Sequence, residues 1–315
     1  MEDTILYNIS LFIVGLILLY FGGEGLVKGA SRLARALGIN SIVIGLTVVA
    51  FGTSAPELVV SIIASVKGSN DLIMGNILGS NISNIGLILA LTALIYSIRI
   101  QLTLIKVELP FMILLSTLLF ILSKDLEIGR IEGAALFALL ISIITYSSYV
   151  AFKEPKYIER EFDEFIEVDK NYYKNFAYIL IGLIGLSIGA KLIVESSITM
   201  AQKFGVSETI IGITAVAIGT SLPELTTSII AALKKESGII IGNIIGSNIF
   251  NIGIIGIVSI LKPIQVESRL LDFEFLVMIF LSVLMLPIMR TDYRITKKEG
   301  FILLMLYLIF LRLIF

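Results

Sequence analysis

The chain repeats itself once. Displaced by 167 residues, the segment from Ile39 to Gly86 aligns without a gap on the segment from Val206 to Gly253, and well over half of the positions from Ile44 onward are identical. Weaker correspondences run upstream, from Gly15 to Gly182 and from Gly22 to Gly189. A soluble solenoid would show shorter periods and more copies. Two long copies point instead to two halves of one architecture, and each half is apolar enough to enter lipid. The chain is 57% hydrophobic and only 16% charged, against roughly 25% charged in a typical soluble domain. That is more apolar surface than an interior of this size could hide. About ten apolar stretches divide the chain, at 6–30, 40–66, 72–97, 103–123, 128–152, 175–203, 208–233, 238–262, 269–289 and 297–315, each long enough to span roughly 30 Å of hydrocarbon. The predicted fold is therefore an all-α integral membrane protein of ten transmembrane helices in two five-helix repeats. An odd number per copy forces the second to insert upside down relative to the first. Inverted repeats, with a substrate site at their interface near the midplane, are the signature of secondary transporters.

The first repeat is predicted over residues 1–152, with its motif at 45–86, and the second over 175–315, with its motif at 212–253. Between them, 153–174 reads as a polar cytoplasmic connector. MEDTILYNIS at the start lacks the basic region and small-residue cleavage site of a signal peptide, so the first span is expected to stay in the mature protein. With both termini outside, about sixteen of the 24 lysines and arginines fall on the cytoplasmic side, the orientation that the positive-inside rule selects. The expected location is thus the cell membrane, multi-pass, with both termini extracellular. A net charge of −1 argues against a nucleic-acid partner. Neither cysteine nor histidine occurs. That excludes disulfides, thiolate or imidazole metal sites and the Ser/His and Cys/His dyads of most hydrolases, so the chain is not expected to be an enzyme. Other charges read as structural. Glu24, Lys28, Arg32 and Arg35 form a stripe at the cytoplasmic end of the first span, solvated or pairing with one another. Lys191 and Glu195, four apart, read as a helical pair. The acidic run in 153–174 lacks EF-hand spacing and reads as a solvated linker.

Each copy carries a motif that membrane helices should avoid, Gly52-Thr53-Ser54-Ala55-Pro56-Glu57 in the first and Gly219-Thr220-Ser221-Leu222-Pro223-Glu224 in the second. Both glutamates lie deep in their spans, where a charge costs roughly 2.5–3.5 kcal/mol on insertion scales. Two of them, symmetrically placed, need a cation or a proton. Pro56 and Pro223 each remove a backbone N–H and clash with the preceding turn, so a helix break is expected just before each. Carbonyls freed in Ala50–Thr53 and Ala217–Thr220 would be tolerated in hydrocarbon only where they line a cavity or bind something. A capping box, with Ser54 or Ser221 as N-cap and the glutamate at N3, is the purely structural alternative. It gives no reason to place a carboxylate at mid-membrane twice.

In the next span of each copy, Asn76, Ser80 and Asn84, and likewise Asn243, Ser247 and Asn251, fall at i, i+4, i+8 on one helix face. Small-residue packing with interhelical amide hydrogen bonds fits Asn76, Asn81, Asn243 and Asn248 better than it fits Ser80, Asn84, Ser247 and Asn251. The latter four are read as lining an ion site beside a glutamate. Carboxylates, hydroxyls, amide oxygens and backbone carbonyls make an all-oxygen set, suited to Ca²⁺ or to several Na⁺. Softer metals would want histidine or cysteine. Two glutamates balance one Ca²⁺, and protons could balance them equally, so the chemistry alone leaves Na⁺ and H⁺ open as counter-ions. A cation channel, with the glutamates as selectivity element, is disfavoured because inverted repeats with a midplane site suit counter-transport.

Paired GTSAPE and GTSLPE, each followed by GN-x-x-GSN-x-x-N, resemble the two α-repeats of the Ca²⁺/cation antiporter superfamily, and most of all its prokaryotic Na⁺/Ca²⁺ exchangers. The resemblance covers nearly the whole chain in length, repeat order and polar mid-loop. It implies a secondary antiporter exchanging Na⁺ for Ca²⁺ by alternating access. Both ions would be substrates and no cofactor would be needed. The lipid bilayer would surround the chain, and a monomer would suffice. Carried over position by position, it implies Glu57 and Glu224 as ligands shared by Ca²⁺ and Na⁺, and Thr53 and Thr220 as donors of backbone carbonyls to Ca²⁺. Ser54, Ser80 and the Ala50 carbonyl would form one flanking Na⁺ site, and Ser221, Ser247 and the Ala217 carbonyl the other. Asn84 and Asn251 would complete the centre. The proton-coupled branch resembles GN-x-x-E at the first motif, so GTS-x-PE in both halves favours Na⁺. Some members, potassium-dependent ones included, have aspartate where this chain has Asn251, and two neutral amides weaken a case for K⁺.

Overall fold

The structure, a computed structural model, describes residues 2–153, 171–203 and 208–314. In chain order its helices are α1 (Glu2–Leu37), α2 (Ser41–Thr53), α3 (Ala55–Lys67), α4 (Asn70–Ile95), α5 (Leu102–Leu122) and α6 (Arg130–Lys153) in the first half. The second half has α7 (Tyr172–Lys203), α8 (Glu208–Leu233), α9 (Ser237–Leu261), α10 (Ser268–Arg290) and α11 (Lys297–Ile314). Among the described residues, seven helices are long and apolar enough to cross a membrane, or eight if α2 and α3, bent by 41° at Ser54, form one span. α11 falls outside that number because Lys297, Lys298, Glu299 and Arg312 lie within its 18 residues. The side chains in the first part of α8 are not among those described.

α4 and α9, the asparagine-bearing helices of the two copies, form the core. In each, 78% of the most apolar window is buried, against 28–39% in α1, α5, α6, α7 and α10. The outer helices therefore keep one side for lipid while α4 and α9 are enclosed by protein.

Glycines set the closest approaches. A Cβ on Gly15 would stand 2.9 Å from the carbonyl oxygen of Gly189, one on Gly22 2.9 Å from that of Gly182, and one on Gly29 2.7 Å from that of Asn175. Ascending numbers on α1 thus meet descending numbers on α7, so these equivalent helices run antiparallel. Their backbones touch because no side chain intervenes. A second seam presses α9 on α2, where a Cβ on Gly242 would lie 2.5 Å from the Ile42 carbonyl oxygen and one on Gly246 2.6 Å from that of Leu46.

Two short ladders lace the halves together. β1 (Ile98–Arg99) pairs antiparallel with β4 (Arg294–Ile295), and β2 (Glu127–Ile128) with β3 (Ile264–Gln265). Their registers set Ile98 opposite Ile295 and Ile128 opposite Ile264, and all four isoleucines are fully buried.

Three expectations need correction. The break expected before both prolines occurs only in the first copy, at Ser54, while Pro223 sits inside the continuous α8. One missing backbone bond is a local defect, and packing decides whether the helix bends there. Among the described residues, the ion pairs that Glu24 and Arg35 of the charged stripe make run to another turn rather than within the stripe. Glu24 meets Lys234 at 3.2 Å and Arg35 meets Glu236 at 2.9 Å, both at the α8–α9 turn, while Lys28 lies 5.2 Å over the Tyr178 ring. The Ala50 carbonyl is not freed, as the site geometry below details. Lys191 and Glu195 do approach, at 3.8 Å, but both are well exposed, so the pair contributes only a few tenths of a kcal/mol. The acidic run, 159–169, lies outside the described residues.

α2 also contains a π turn at Gly45–Val49, and α4 one at Asn84–Leu89. The equivalent of the latter in α9 stays α-helical. Such turns insert one residue into a helix and are common at functional sites.

Candidate ion-binding site

Glu57 and Glu224 are 0% and 1% exposed. Around them, hydrogen bonds cross between copies in matched pairs. Thr53 Oγ1 donates to Asn243 Oδ1 at 3.0 Å, and Thr220 Oγ1 to Asn76 Oδ1 at 3.3 Å. The same asparagines donate within their own copies, Asn243 Nδ2 to Ser228 Oγ at 3.1 Å and Asn76 Nδ2 to Ser61 Oγ at 3.3 Å. Deeper in, Asn84 Nδ2 donates to Asn248 Oδ1 and Asn251 Nδ2 to Asn81 Oδ1, both at 3.0 Å. Asn76, Asn81, Asn243 and Asn248 are therefore interhelical ties, each bond contributing about 1 kcal/mol. Asn248 and Asn81 also direct their Nδ2 groups at Met112 and Met278 sulfurs, 3.6 Å away in both cases.

The serines reach the carboxylates. Ser54 Oγ donates to Glu224 Oε1 at 3.2 Å, and Ser80 Oγ to Glu57 Oε1 at 3.4 Å. Ser80 Oγ also lies 3.3 Å from Ser221 Oγ, and Thr53 Oγ1 lies 3.5 Å from Ser247 Oγ. Ser54 makes no side-chain capping bond to its own helix, which sets the capping box aside in the first copy. Hydrogen bonds thus group Ser80 with Glu57 and Ser221, and Ser54 with Glu224, a different partition from the one the resemblance implies. The Ala50 carbonyl accepts from Ser54 N at 2.9 Å and Thr53 Oγ1 at 3.3 Å, so it is bonded rather than freed. The carbonyl that loses its ordinary donor to Pro56 is that of Gly52. The surroundings of Ala217 lie outside the described residues.

Four acceptors are left over in two symmetric pairs. Glu57 Oε2, Glu224 Oε2, Asn84 Oδ1 and Asn251 Oδ1 are buried and have no hydrogen-bond partner. Among the described residues no ion pair reaches either glutamate. A buried acceptor without a donor costs about 1–3 kcal/mol, and more when charged. Hard cations are the partners that oxygens of these kinds take. Among the described residues no cluster of three or more Asp, Glu, His or Cys exists, so such a cation would be held by two carboxylates and neutral oxygens. Sequence reasoning missed Ser61 and Ser228, although both are polar residues within spans and identical between the copies. It also missed Met112 and Met278, whose apolar character gives no hint of a contact with asparagine.

A family model described as sodium/calcium exchanger protein matches residues 7–149 and 174–315. The chain belongs to the sodium/calcium exchanger family. The two matched stretches of this family member flank the polar connector. Putative antiporter CaxA of Alkalimonas amylolytica is 38% identical over 303 residues, covering 94% of this chain and 95% of that protein. Sodium/calcium exchanger MaX1 of Methanosarcina acetivorans is 34% identical over 344 residues, covering 98% of each. A solved structure of the sodium-calcium exchanger NCX_Mj, soaked with Na⁺ and Sr²⁺, matches with a TM-score of 0.85 at 32% identity over 97% of both chains. The all-helical membrane fold of this exchanger-family chain is thus similar to that of NCX_Mj, and its class is transport by antiport.

Proposed function

We propose that this chain exchanges Na⁺ for Ca²⁺ across the cell membrane by alternating access. The observation that carries the reading is the set of four unpartnered buried oxygens on Glu57, Glu224, Asn84 and Asn251. One Ca²⁺ neutralises both carboxylates. When Na⁺ replaces it, each carboxylate takes its own ion, one beside Glu57, Ser80 and Ser221 and the other beside Glu224 and Ser54. Thr53 and Thr220 hold the two copies in register around them, with Ser247 beside Thr53. Ala50 and Ala217 would contribute by their carbonyls only in a state where those groups are released. Competition for the same glutamates is what couples the fluxes, because an empty buried pair is costly to carry across.

In this reading α8 and α11 complete ten spans, α2 and α3 being one broken span. The first repeat is 1–152, 153–174 is a cytoplasmic connector and the second repeat is 175–315, inverted relative to the first. Antiparallel pairing of α1 with α7 supports the inversion. Both termini face outside, one chain suffices as the working unit, and neither a cofactor nor an enzymatic step is needed.

The test is ⁴⁵Ca²⁺ uptake into proteoliposomes. Uptake that requires internal Na⁺ and stops when Na⁺ is omitted is the expected result. Uptake driven by a pH gradient alone would transfer the counter-ion role to H⁺, which can also neutralise a carboxylate pair. Flux that needs no counter-ion would abandon antiport for a channel.

A further inference from the structure

Thr227 stands three residues after Glu224 in α8, where Thr220, Glu224 and Thr227 share a stripe at i, i+4, i+7. It is fully buried, yet its Oγ1 has no hydrogen-bond partner. Threonines within helices ordinarily return the hydroxyl to a carbonyl one turn back. Thr47 does so to Val43 and Thr117 to Ile113. Thr227 therefore makes no bond to its own backbone, and its unused donor and acceptor lie one turn along the same helix face from Glu224. The equivalent residue in the first copy is Val60, although the next residues, Ser61 and Ser228, match in both identity and bonding. Repeat symmetry is broken at one hydroxyl, one turn from one glutamate.

Resting on the exchange reading above, we propose that Thr227 Oγ1 is a ligand, directly or through one water, of the monovalent cation held by Glu224. Ca²⁺ draws on both carboxylates, so a neutral oxygen offset to one side adds little to it. A singly charged ion balanced by one carboxylate must complete its shell with neutral oxygens, and Thr227 supplies one there. Val60 presents only methyl groups beside Glu57. The two Na⁺ sites are consequently unequal, with the tighter one in the second copy.

Thr227→Val keeps the shape, removes the hydroxyl and makes the copies match. Na⁺ binding to the purified full-length protein by calorimetry, half-saturation of ⁴⁵Ca²⁺ exchange, and the Tm of the ion-free protein are measured together. The expected result is a rise of about 5–10-fold in the Na⁺ half-saturation, as for loss of one buried polar contact. Ca²⁺ half-saturation without Na⁺ stays unchanged, and the ion-free Tm rises because an unsatisfied hydroxyl is gone. Thr227→Ser retains Na⁺ affinity. Unchanged Na⁺ affinity in Thr227→Val overturns the proposal. So does a parallel loss of Na⁺ and Ca²⁺ affinity with a lower Tm, which marks a packing role. Absence of Na⁺-driven Ca²⁺ flux in the wild type would defeat the exchange reading itself, whereas wild-type exchange with an indistinguishable Thr227→Val defeats this inference alone.

Discussion

Gly75 and Gly79 on α4 and Gly242 and Gly246 on α9 occupy the same places in the same GN-x-x-GSN sequence, yet their surroundings differ. The α9 pair is buried hard against the α2 backbone. On α4, Gly75 is exposed and Gly79 half-buried, and among the described residues nothing lies within 4 Å of a Cβ built on either. One seam is shut, and among the described residues its counterpart shows no such contact. Backbone shape follows the packing, since the helix on the shut side carries a π turn and a bend while α8 runs through its proline. Identical motifs therefore have two packings available. Under the proposed cycle, exchanging those packings between the copies would turn the open side from one face of the membrane to the other.

The largest expected effect ignores this asymmetry. Glu57→Gln and Glu224→Gln should each lower Na⁺-dependent Ca²⁺ uptake by at least about 100-fold, because each removes half the charge that balances Ca²⁺. A variant that kept near-normal flux would show that the two copies do not share the ion. Next come the seams. Gly242→Ala must push backbone apart and should destabilise by about 1–3 kcal/mol, seen as a lower Tm. Gly75→Ala should leave Tm unchanged but slow turnover by about tenfold, if the open seam has to shut by the same backbone approach. Equal effects on both readouts would remove the reason for treating the packings as interchangeable.

Smaller and symmetric are the ties. Asn76→Ala and Asn243→Ala should each cost about 1–2 kcal/mol in denaturation experiments, since each strands a serine and removes the acceptor of a threonine. Smallest is Arg35→Gln, which breaks a partly exposed ion pair with Glu236 and should lower stability by less than about 1 kcal/mol, with the loss shrinking as salt is raised.

Much of this molecule is legible in its sequence because repetition and polarity inside apolar spans are both one-dimensional signals. Glu57, Glu224, the GTS hydroxyls and the asparagine face all stand out on that basis, and the structure buries them and ties several of them together across the copies. What the sequence cannot show is which of two chemically equivalent partners a side chain meets. Ser54 bonds the glutamate of the other copy rather than its own helix, and Asn76 and Asn243 meet threonines across the interface. Nor can one motif announce two conformations. Pro56 and Pro223 look alike in sequence, and the difference between a bent and a continuous helix is decided by neighbours far along the chain. Thr227 is conspicuous only once its hydroxyl is known to lack a partner.

The contact between α1 and α7 has the form of an isologous interface. Gly15 meets Gly189 and Gly22 meets Gly182, so the patch on one half faces the corresponding patch on the other. This is how a two-fold homodimer is joined, and here both subunits happen to lie on a single polypeptide. In quaternary terms the chain is a tethered dimer whose subunits can diverge, as Val60 and Thr227 have, at positions where neither the seam nor a cross-copy bond ties one half to the other. A larger residue at one seam glycine would make the patch no longer its own complement, and only a matching change in the other half could restore the fit.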